Sequence, residues 1–395
     1  MCAVMYRYGA TLSDTMIAVR PHPYEEKALA QYRLAELTKS LPATVPFVGP
    51  ETQERARGGP FDARIGANES VFGPSPKVVA AIAEAASAAW MYGDPEIHTL
   101  HQAIAAHHGV EPANIMVGEG IDGLFGYVVR MFVEPGDSVV TSQGAYPTFN
   151  YHVVGYDGQL VTVPYCDDRE DGDALLAAAA ECQAKLIYLA NPDNPMGTWW
   201  GAEKVDDIIS RVPAGALLVL DEAYGEFAEP GTLPEIDVSS DRVLRFRTFS
   251  KAYGLAGIRL GYVIGNADLV AEFNKVRNHF GVGRVVQAAG LAALADQSHL
   301  AWVIDQVKAA RRRIVEIASD NGLTTVDSAT NFVAVDCGHD GEFANRVLNS
   351  LVERGIFVRM PGVPPLNRCI RITAGLDHEL DAFAAALPLS LADAN

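Results

Sequence analysis

The sequence predicts an α/β fold in which a mostly parallel sheet is covered by helices, with a smaller α+β domain beside it. Short apolar segments bounded by turns recur through the middle of the chain, and helical patterns separate most of them. These segments are continuously apolar rather than alternating, which is typical of strands buried on both faces of a parallel sheet. The length of 395 residues suits one large domain with a smaller companion.

The predicted elements follow one another along the chain. Strands are predicted at 115–117, 138–141, 160–163, 186–189, 216–220, 243–246 and 262–264. Helices are predicted at 76–91, 95–108, 121–131, 147–156, 173–182 and 202–212, and a long helical region at 285–321. Asp94 followed by Pro95 marks one helix start, and Gly109 marks its end. Strands at 332–335 and 369–373 around a helix at 342–354 predict the smaller domain.

These patterns predict three parts of the chain. Residues 1–60 form an N-terminal arm and part of the small domain, 61–290 a large domain that contains the predicted parallel sheet, and 291–395 a small C-terminal domain. The arm carries one predicted helix at 25–37 and lies over a neighbouring subunit. The long helical region separates the two domains.

Composition excludes several classes of partner. The formal net charge of −18 argues against a nucleic-acid partner, which requires a basic surface. No apolar run approaches the roughly 20 residues of a membrane span, and the N-terminus does not read as a secretory signal. The five cysteines are scattered without a CxxC pair, which favours reduced thiols in the cytoplasm over disulfides or zinc. No metal site is predicted, because the histidines on the helix at 95–108 point in different directions.

Polar residues follow three successive predicted strands. Asn194 follows the strand at 186–189, Asp221 the next strand, and Lys251 the one after that. Since ligands bind at the carboxyl ends of parallel strands, an amide, a carboxylate and an amine should meet at one edge of the sheet. Pyridoxal phosphate (PLP) requires this set: an amine to form a Schiff base and a carboxylate to keep the ring nitrogen protonated.

A phosphate group has its own candidate ligands. Gly120, Ile121 and Asp122 open a helix after the strand at 115–117, so their backbone N–H groups can face an anion. Ser250 and Arg259 can add a hydroxyl and a cation. Each feature alone has an ordinary explanation as a helix cap, a surface ion pair, a tight turn or a degenerate dinucleotide-binding loop of a dehydrogenase. The ordered combination favours PLP.

The segments NPDNPMGT, DEAY and TFSKAYGLAGIRLGY resemble the motifs of the fold-type-I PLP-dependent aminotransferases (class I/II). The resemblance is strongest to the histidinol-phosphate aminotransferase family and covers roughly residues 45–395. It implies the PLP-dependent transferase fold. It also implies that Lys251 carries the cofactor and later moves a proton, that Asp221 pairs with the ring nitrogen, and that Tyr224 contacts the ring oxygen.

The resemblance implies further roles around this centre. Asn194 contacts the ring oxygen with Tyr224, and Phe149 stacks on the ring. The phosphate is held by a group of five residues: Gly120, Ile121, Asp122, Ser250 and Arg259. Tyr92 reaches the cofactor of the other subunit in a homodimer. The substrate is bound through its anionic group and covered by a closing segment, with the residues Arg359, Arg371, Asn68 and Glu69.

The predicted reaction is PLP-dependent transfer of an amino group to a 2-oxo acid such as 2-oxoglutarate. The donor is an amino acid or amino phosphate, either aromatic or similar to histidinol phosphate. Two alternatives stay open at this point. One is a PLP-dependent decarboxylase of an amino-acid phosphate on the same scaffold, and the other is a non-catalytic binding protein with the PLP fold.

Overall fold

The computed structural model describes residues 4–5, 33–43 and 48–395. Within them the strands are β1 Val4–Met5, β2 Ala63–Arg64, β3 Ile115–Gly118, β4 Ser138–Ser142, β5 Gln159–Val163, β6 Leu186–Ala190, β7 Leu217–Asp221, β8 Val243–Thr248, β9 Gly261–Gly265, β10 Thr324–Thr325, β11 Phe332–Asp336, β12 Ile356–Phe357 and β13 Cys369–Thr373. The predicted mostly parallel α/β arrangement is confirmed, and the strand bounds differ from the predicted ones by one or two residues.

The helices of these residues are α1 Glu36–Ser40, α2 Pro50–Arg57, α3 Pro76–Ala86, α4 His98–His108, α5 Gly120–Phe132, α6 Pro147–Gly155, α7 Gly172–Cys182, α8 Ala202–Ser210, α9 Ala267–Glu272, α10 Arg284–Ala295, α11 Gln297–Asp320, α12 Gly341–Glu353 and α13 Asp377–Ala394. Most of the helix predicted at 25–37 lies outside the described residues. Within the described part of the chain, no helix combines the length and the apolar character that a membrane span needs.

The large sheet has the strand order β1-β5-β4-β6-β7-β8-β9-β3. Strands β5, β4, β6, β7 and β8 are parallel neighbours, whereas β9 runs antiparallel to both β8 and β3, and β1 runs antiparallel to β5. The residues of β6, β7, β8 and β9 are buried throughout, as expected for strands covered on both faces. The carboxyl ends of β6, β7 and β8 therefore lie side by side.

An aromatic cluster fills the core under this edge. The ring of Phe125 on α5 lies 5.0 Å from Phe246 and 5.8 Å from Tyr188. Phe149 on α6 stacks on Tyr188 with 4.9 Å between the ring centroids. Edge and stacked contacts of this kind fix the packing of α5 and α6 on the sheet.

Three predicted helices differ clearly from the observed ones. The helix predicted at 76–91 ends at Ala86. The helix predicted from Pro95 begins at His98, because the carboxylate of Asp94 accepts hydrogen bonds from the backbone of Glu96 and His98 (both 3.0 Å) and Ile97 is left-handed. The helical region predicted at 285–321 is two helices, α10 and α11. They meet at Asp296, whose carboxylate accepts from Ser298 (2.8 Å) and pairs with Lys77 (3.0 Å).

The C-terminal part of the chain contains a second, smaller sheet. Strands β10, β11 and β13 form it in that order, antiparallel, and β12 pairs with β2 in a separate parallel pair. An isolated antiparallel β-bridge also pairs Arg359, which lies outside the strands, with Arg371 of β13. The boundaries predicted at residues 60 and 290 stay predictions. The small sheet nevertheless contacts the edge of the large one, because Arg371 of β13 donates a hydrogen bond to Asn194.

Candidate active site

Asp221 is the last residue of β7 and is almost fully buried. The hydroxyl of Tyr188, on the neighbouring strand β6, donates a 2.6 Å hydrogen bond to its Oδ2, and the backbone N–H of Ala223 donates to its Oδ1 at 2.9 Å. Burial raises the pKa of Asp221 to about 6, although both hydrogen bonds favour the charged form. A cation placed against this carboxylate would return it to the ionised state.

The turn after Asp221 is held by a buried ion cluster. The carboxylate of Glu222 pairs with Arg245 at 2.7 Å and with Arg247 at 2.8 Å, both on β8. Because a buried carboxylate is stable only when its charge is paired, these contacts fix the turn between β7 and Tyr224 against the next strand.

Lys251 follows β8 and points its amine into the site. Its Nζ donates a 3.0 Å hydrogen bond to the backbone carbonyl of Asn68 and lies 5.5 Å from the centroid of the Tyr224 ring. Burial, followed by the positive charge of Arg371, lowers the pKa of Lys251 to about 8. The free amine is therefore neutral in an appreciable fraction of molecules near neutral pH, as a proton acceptor must be.

A chain of polar contacts links Tyr224 to the small sheet. The Tyr224 hydroxyl accepts hydrogen bonds from the side-chain amides of Asn68 (3.0 Å) and Asn194 (3.4 Å). Asn194 in turn accepts a 2.5 Å hydrogen bond from Nη1 of Arg371. Burial raises the pKa of Tyr224 above its ordinary value, so this hydroxyl is a neutral group that both donates and accepts.

The two predicted anion-binding arginines lie on adjacent segments. Backbone atoms of Arg359 and Arg371 pair across the bridge, with Arg371 N donating to Arg359 O at 2.6 Å. Nη2 of Arg359 donates to the carbonyl of Val48 at 2.9 Å, whereas Nε of Arg371 is buried without a partner among the described residues. An unpaired buried N–H is costly, so this atom indicates a place for an anionic ligand. Glu69, the other residue of the predicted closing segment, is exposed beside this pair.

The predicted phosphate ligands also come together. Gly120 has φ of +76°, and a Cβ there would lie 2.5 Å from Nη2 of Arg259. A Cβ at Gly261 would lie 2.8 Å from the backbone N of Ile121, so both glycines permit close approach of the helix start to β9. Ser250 is buried, and its hydroxyl lies 3.4 Å from Nη1 of Arg259.

Asp122 belongs to the same helix start but its side chain has a partner. Its Oδ1 lies 3.0 Å from Nε2 of His152 on α6. The side chain of Asp122 is half exposed. The side chain of Asp122 is thus engaged by His152, and the backbone N–H groups at the start of α5 stay available to an anion.

The prediction for Phe149 is wrong. Phe149 has no exposed surface, because one face stacks on Tyr188 and its edge meets Phe125, which leaves no face for a cofactor ring. The aromatic residue of this segment that lies in the site is Tyr146, which directly precedes α6. Burial raises its pKa, and the charges of Asp122 and Asp221 act in the same direction.

Sequence reasoning missed Tyr146 and Tyr188. Tyr188 lies in the middle of an apolar strand and has the pattern of a core residue. No local signal places its hydroxyl beside Asp221, although a tyrosine one strand away from a candidate carboxylate is a general hint. Tyr92 is predicted to serve another subunit, and in this chain it is 78% exposed and packs on Phe280.

Comparison with known proteins identifies the family. The family model of aminotransferase class I and II matches residues 63–387. The chain belongs to this family. The predicted family, fold class and aminotransferase activity are thereby confirmed.

Individual aminotransferases resemble the chain over nearly its whole length. The histidinol-phosphate aminotransferase of Sinorhizobium meliloti, solved in complex with pyridoxal-5'-phosphate, is 54% identical, with a TM-score of 0.90 over 93% of this chain and 99% of that one. Histidinol-phosphate aminotransferases of Moorella thermoacetica and Pseudomonas fluorescens are 30% and 34% identical. They align with 92% and 93% of this chain and with 94% and 98% of their own lengths.

The donor set of this aminotransferase fits PLP. No cationic side chain of the described residues contacts the buried Asp221 carboxylate, and a protonated ring nitrogen would supply a cation there. The amine of Lys251 lies on the same edge of the sheet, and the helix start at Gly120 with Ser250 and Arg259 offers donors to a phosphate. The individual residue roles stay predictions.

Proposed function

We propose that this aminotransferase uses PLP to move the amino group of histidinol phosphate, or of a close analogue, to a 2-oxo acid such as 2-oxoglutarate. The observation that carries the proposal is the convergence of Lys251, Asp221 and Arg371 around one edge of the sheet. The amine and the carboxylate suit the cofactor, and the arginine with its unpartnered Nε suits an anionic substrate. The identity of 54% to an enzyme named for this substrate supports the choice of donor.

When bound, PLP supplies an aldehyde carbon that exchanges amines and a protonated ring that stores an electron pair. Asp221 would hold the ring nitrogen, with Tyr188 fixing the carboxylate. Tyr224 and Asn194 would face the ring oxygen. The helix start at Gly120, together with the other predicted phosphate ligands, would hold the phosphate.

Lys251 is the residue that moves protons. With its pKa lowered to about 8, the Nζ of Lys251 would be able to take a proton from the Cα of the substrate and to release it again. The carbonyl of Asn68 orients this amine. Tyr146, which lies in the site and is largely buried, is our candidate for the ring-stacking role predicted for Phe149.

The substrate end of the site is cationic. Arg371 is held by Asn194 at one nitrogen and leaves Nε for the substrate, while Arg359 lies on the adjoining segment. Two guanidinium groups suit a phosphate monoester, which carries close to two charges at neutral pH. Asn68 and Glu69 would border the bound substrate.

The proposal includes a homodimer located in the cytoplasm. Trp90, Tyr92 and Phe280 expose 83%, 78% and 53% of their surfaces, an apolar patch of the kind that subunit interfaces cover. Covering it with a second copy would let Tyr92 reach the cofactor phosphate of that copy. The cysteines of the described residues are free, which suits a reducing compartment.

The test is a panel of amino donors with 2-oxoglutarate as acceptor. Histidinol phosphate and phenylalanine are compared, and carbon dioxide release from an amino-acid phosphate is measured in parallel. We expect glutamate formation with histidinol phosphate, a weaker or absent reaction with phenylalanine, and no carbon dioxide. Carbon dioxide release would support the decarboxylase alternative. A colourless protein in which borohydride reduction fixes no PLP on Lys251 would contradict the cofactor assignment.

A further inference from the structure

Asn68 connects the two sheets at the amine of Lys251. It is 2% exposed, and its φ of +56° lies in the left-handed region that residues other than glycine seldom adopt. All its polar atoms are paired. Its carbonyl accepts from Lys251 (3.0 Å) and from Nδ2 of Asn331 (3.1 Å), and its amide donates to Tyr224 (3.0 Å).

Thr373 provides the remaining contacts of Asn68. Its Oγ1 accepts from the backbone N–H of Asn68 and donates to the side-chain Oδ1 of Asn68, both at 3.1 Å. Thr373 ends β13, Asn331 directly precedes β11, and both are at most 1% exposed. Asn68 is thus held by two side chains of the small domain. Thr373 hydrogen-bonds to its N–H and Oδ1, and Asn331 hydrogen-bonds to its carbonyl.

This grip has a consequence for the amine. Asparagine adopts the left-handed conformation more readily than most residues, but the conformation still costs free energy, which the surrounding contacts offset. If the contacts were lost, Asn68 would relax toward the extended region, and the rotation would turn its carbonyl away from Lys251. The direction of that carbonyl therefore depends on two residues, Thr373 and Asn331, that contact Asn68 and make no hydrogen bond to Lys251 itself.

We propose that Thr373 and Asn331 are positioning residues for the amine of Lys251, acting through the backbone of Asn68. The inference rests on the proposed function, in which that amine carries the proton. The carbonyl of Asn68 stabilises the ammonium form. Among the charged groups that face the amine, Glu69 and Asp221 do the same, whereas Arg371 and Arg259 oppose it.

The test compares Thr373→Val, which removes Oγ1 at nearly constant volume, with Thr373→Ser, which keeps it. The full-length protein is loaded with pyridoxamine phosphate, so that Lys251 is not joined to the cofactor. Trace acetylation of Lys251 is followed from pH 6 to pH 10 by mass spectrometry, with the exposed Lys275 as internal reference. The readout is the pH at half-maximal labelling.

We expect the labelling midpoint of Lys251 to fall by about one pH unit in Thr373→Val and to stay near the wild-type value in Thr373→Ser, because the ammonium loses a hydrogen-bond acceptor. Asn331→Ala should move the midpoint in the same direction. In steady-state assays of Thr373→Val, kcat should fall about tenfold or more while the KM for the amino donor changes little.

An unchanged midpoint in folded Thr373→Val, together with a wild-type enzyme that transfers amino groups, would overturn the inference. If the valine variant does not fold, Thr373→Ala removes the same hydroxyl without the branched side chain, and its midpoint decides. Wild-type protein that binds pyridoxamine phosphate but fails to transfer its amino group would instead contradict the proposed function.

Discussion

Replacing Tyr188 by Phe removes one hydroxyl from the buried surroundings of Asp221. That hydroxyl donates a 2.6 Å hydrogen bond to a carboxylate that is 4% exposed. A hydrogen bond to a charged group contributes about 1.5–3 kcal/mol, so its loss should raise the pKa of Asp221 in the cofactor-free protein by about one to two units from its value of about 6. Near neutral pH a ring cation then meets a partly protonated carboxylate, which should weaken its binding about two- to fivefold.

The assay measures PLP affinity by fluorescence titration and kcat/KM of amino transfer at pH 7.5, for wild type and Tyr188→Phe. We expect PLP affinity to fall about two- to fivefold and kcat/KM to fall by at least as much. Tyr262→Phe is the matched control, because Tyr262 is equally buried and its hydroxyl contacts His108 at 2.8 Å, outside the site. If Tyr188→Phe behaves like the control, the hydroxyl does not support the carboxylate and our reasoning about Asp221 fails.

Three further predictions concern the same site. In the cofactor-free protein, the folded-state pKa of Asp221 (about 6) exceeds its ordinary value of 3.8, so the folded state binds this proton more tightly than the unfolded state does. Protonation of Asp221 therefore stabilises the fold fully below about pH 4, and this stabilisation is lost as the pH rises through 6. Urea unfolding should therefore show that the free energy of unfolding of Asp221→Asn, relative to the wild type, rises by up to about 3 kcal/mol between pH 4 and pH 8. A difference that does not change with pH would contradict this. Gly120→Ala should displace Arg259 and weaken PLP binding about tenfold or more by equilibrium dialysis, and the left-handed φ of this position should also cost about 1–2 kcal/mol of stability. Tyr146→Ala should reduce PLP affinity more than stability, whereas Phe149→Ala should cost about 3–5 kcal/mol of stability by chemical denaturation; the reverse result would restore Phe149 as the stacking residue.

Much of the large sheet could be predicted because its strands carry their own signal. The run predicted at 216–220 corresponds to β7, since a strand buried on both faces must be apolar at every position. The antiparallel direction of β9 could not be predicted in the same way. That direction depends on pairing with β8 on one side and with β3 on the other, where the register joins Ile264 to Ile115, far away in the sequence. The start of α4 was misplaced because a local turn around Asp94 competes with the helix.

The residues of the site also fall into those that local sequence predicts and those that depend on distant partners. Lys251, Asp221 and Asn194 could be predicted because each lies at the carboxyl end of a strand or within four residues of it, where position along the chain determines position in space. Thr373 and Tyr188 could not, because their roles depend on partners on other strands. Tyr146 and Phe149 are three residues apart at a helix start, and only the packing of α6 shows which of the two rings faces the core.

The pairing of β3 with β9 bears on how the protein matures during synthesis. The glycine-rich start of α5 is made early, but Ser250, Arg259 and the strand that supports them are translated more than a hundred residues later. Contacts of such long sequence separation form late and slowly. A nascent chain cannot assemble the anion pocket until β9 has left the ribosome, and Asn68 must wait longer still for Thr373. Fragments truncated before residue 373 should thus lack a complete active site, and PLP should bind only after translation is finished.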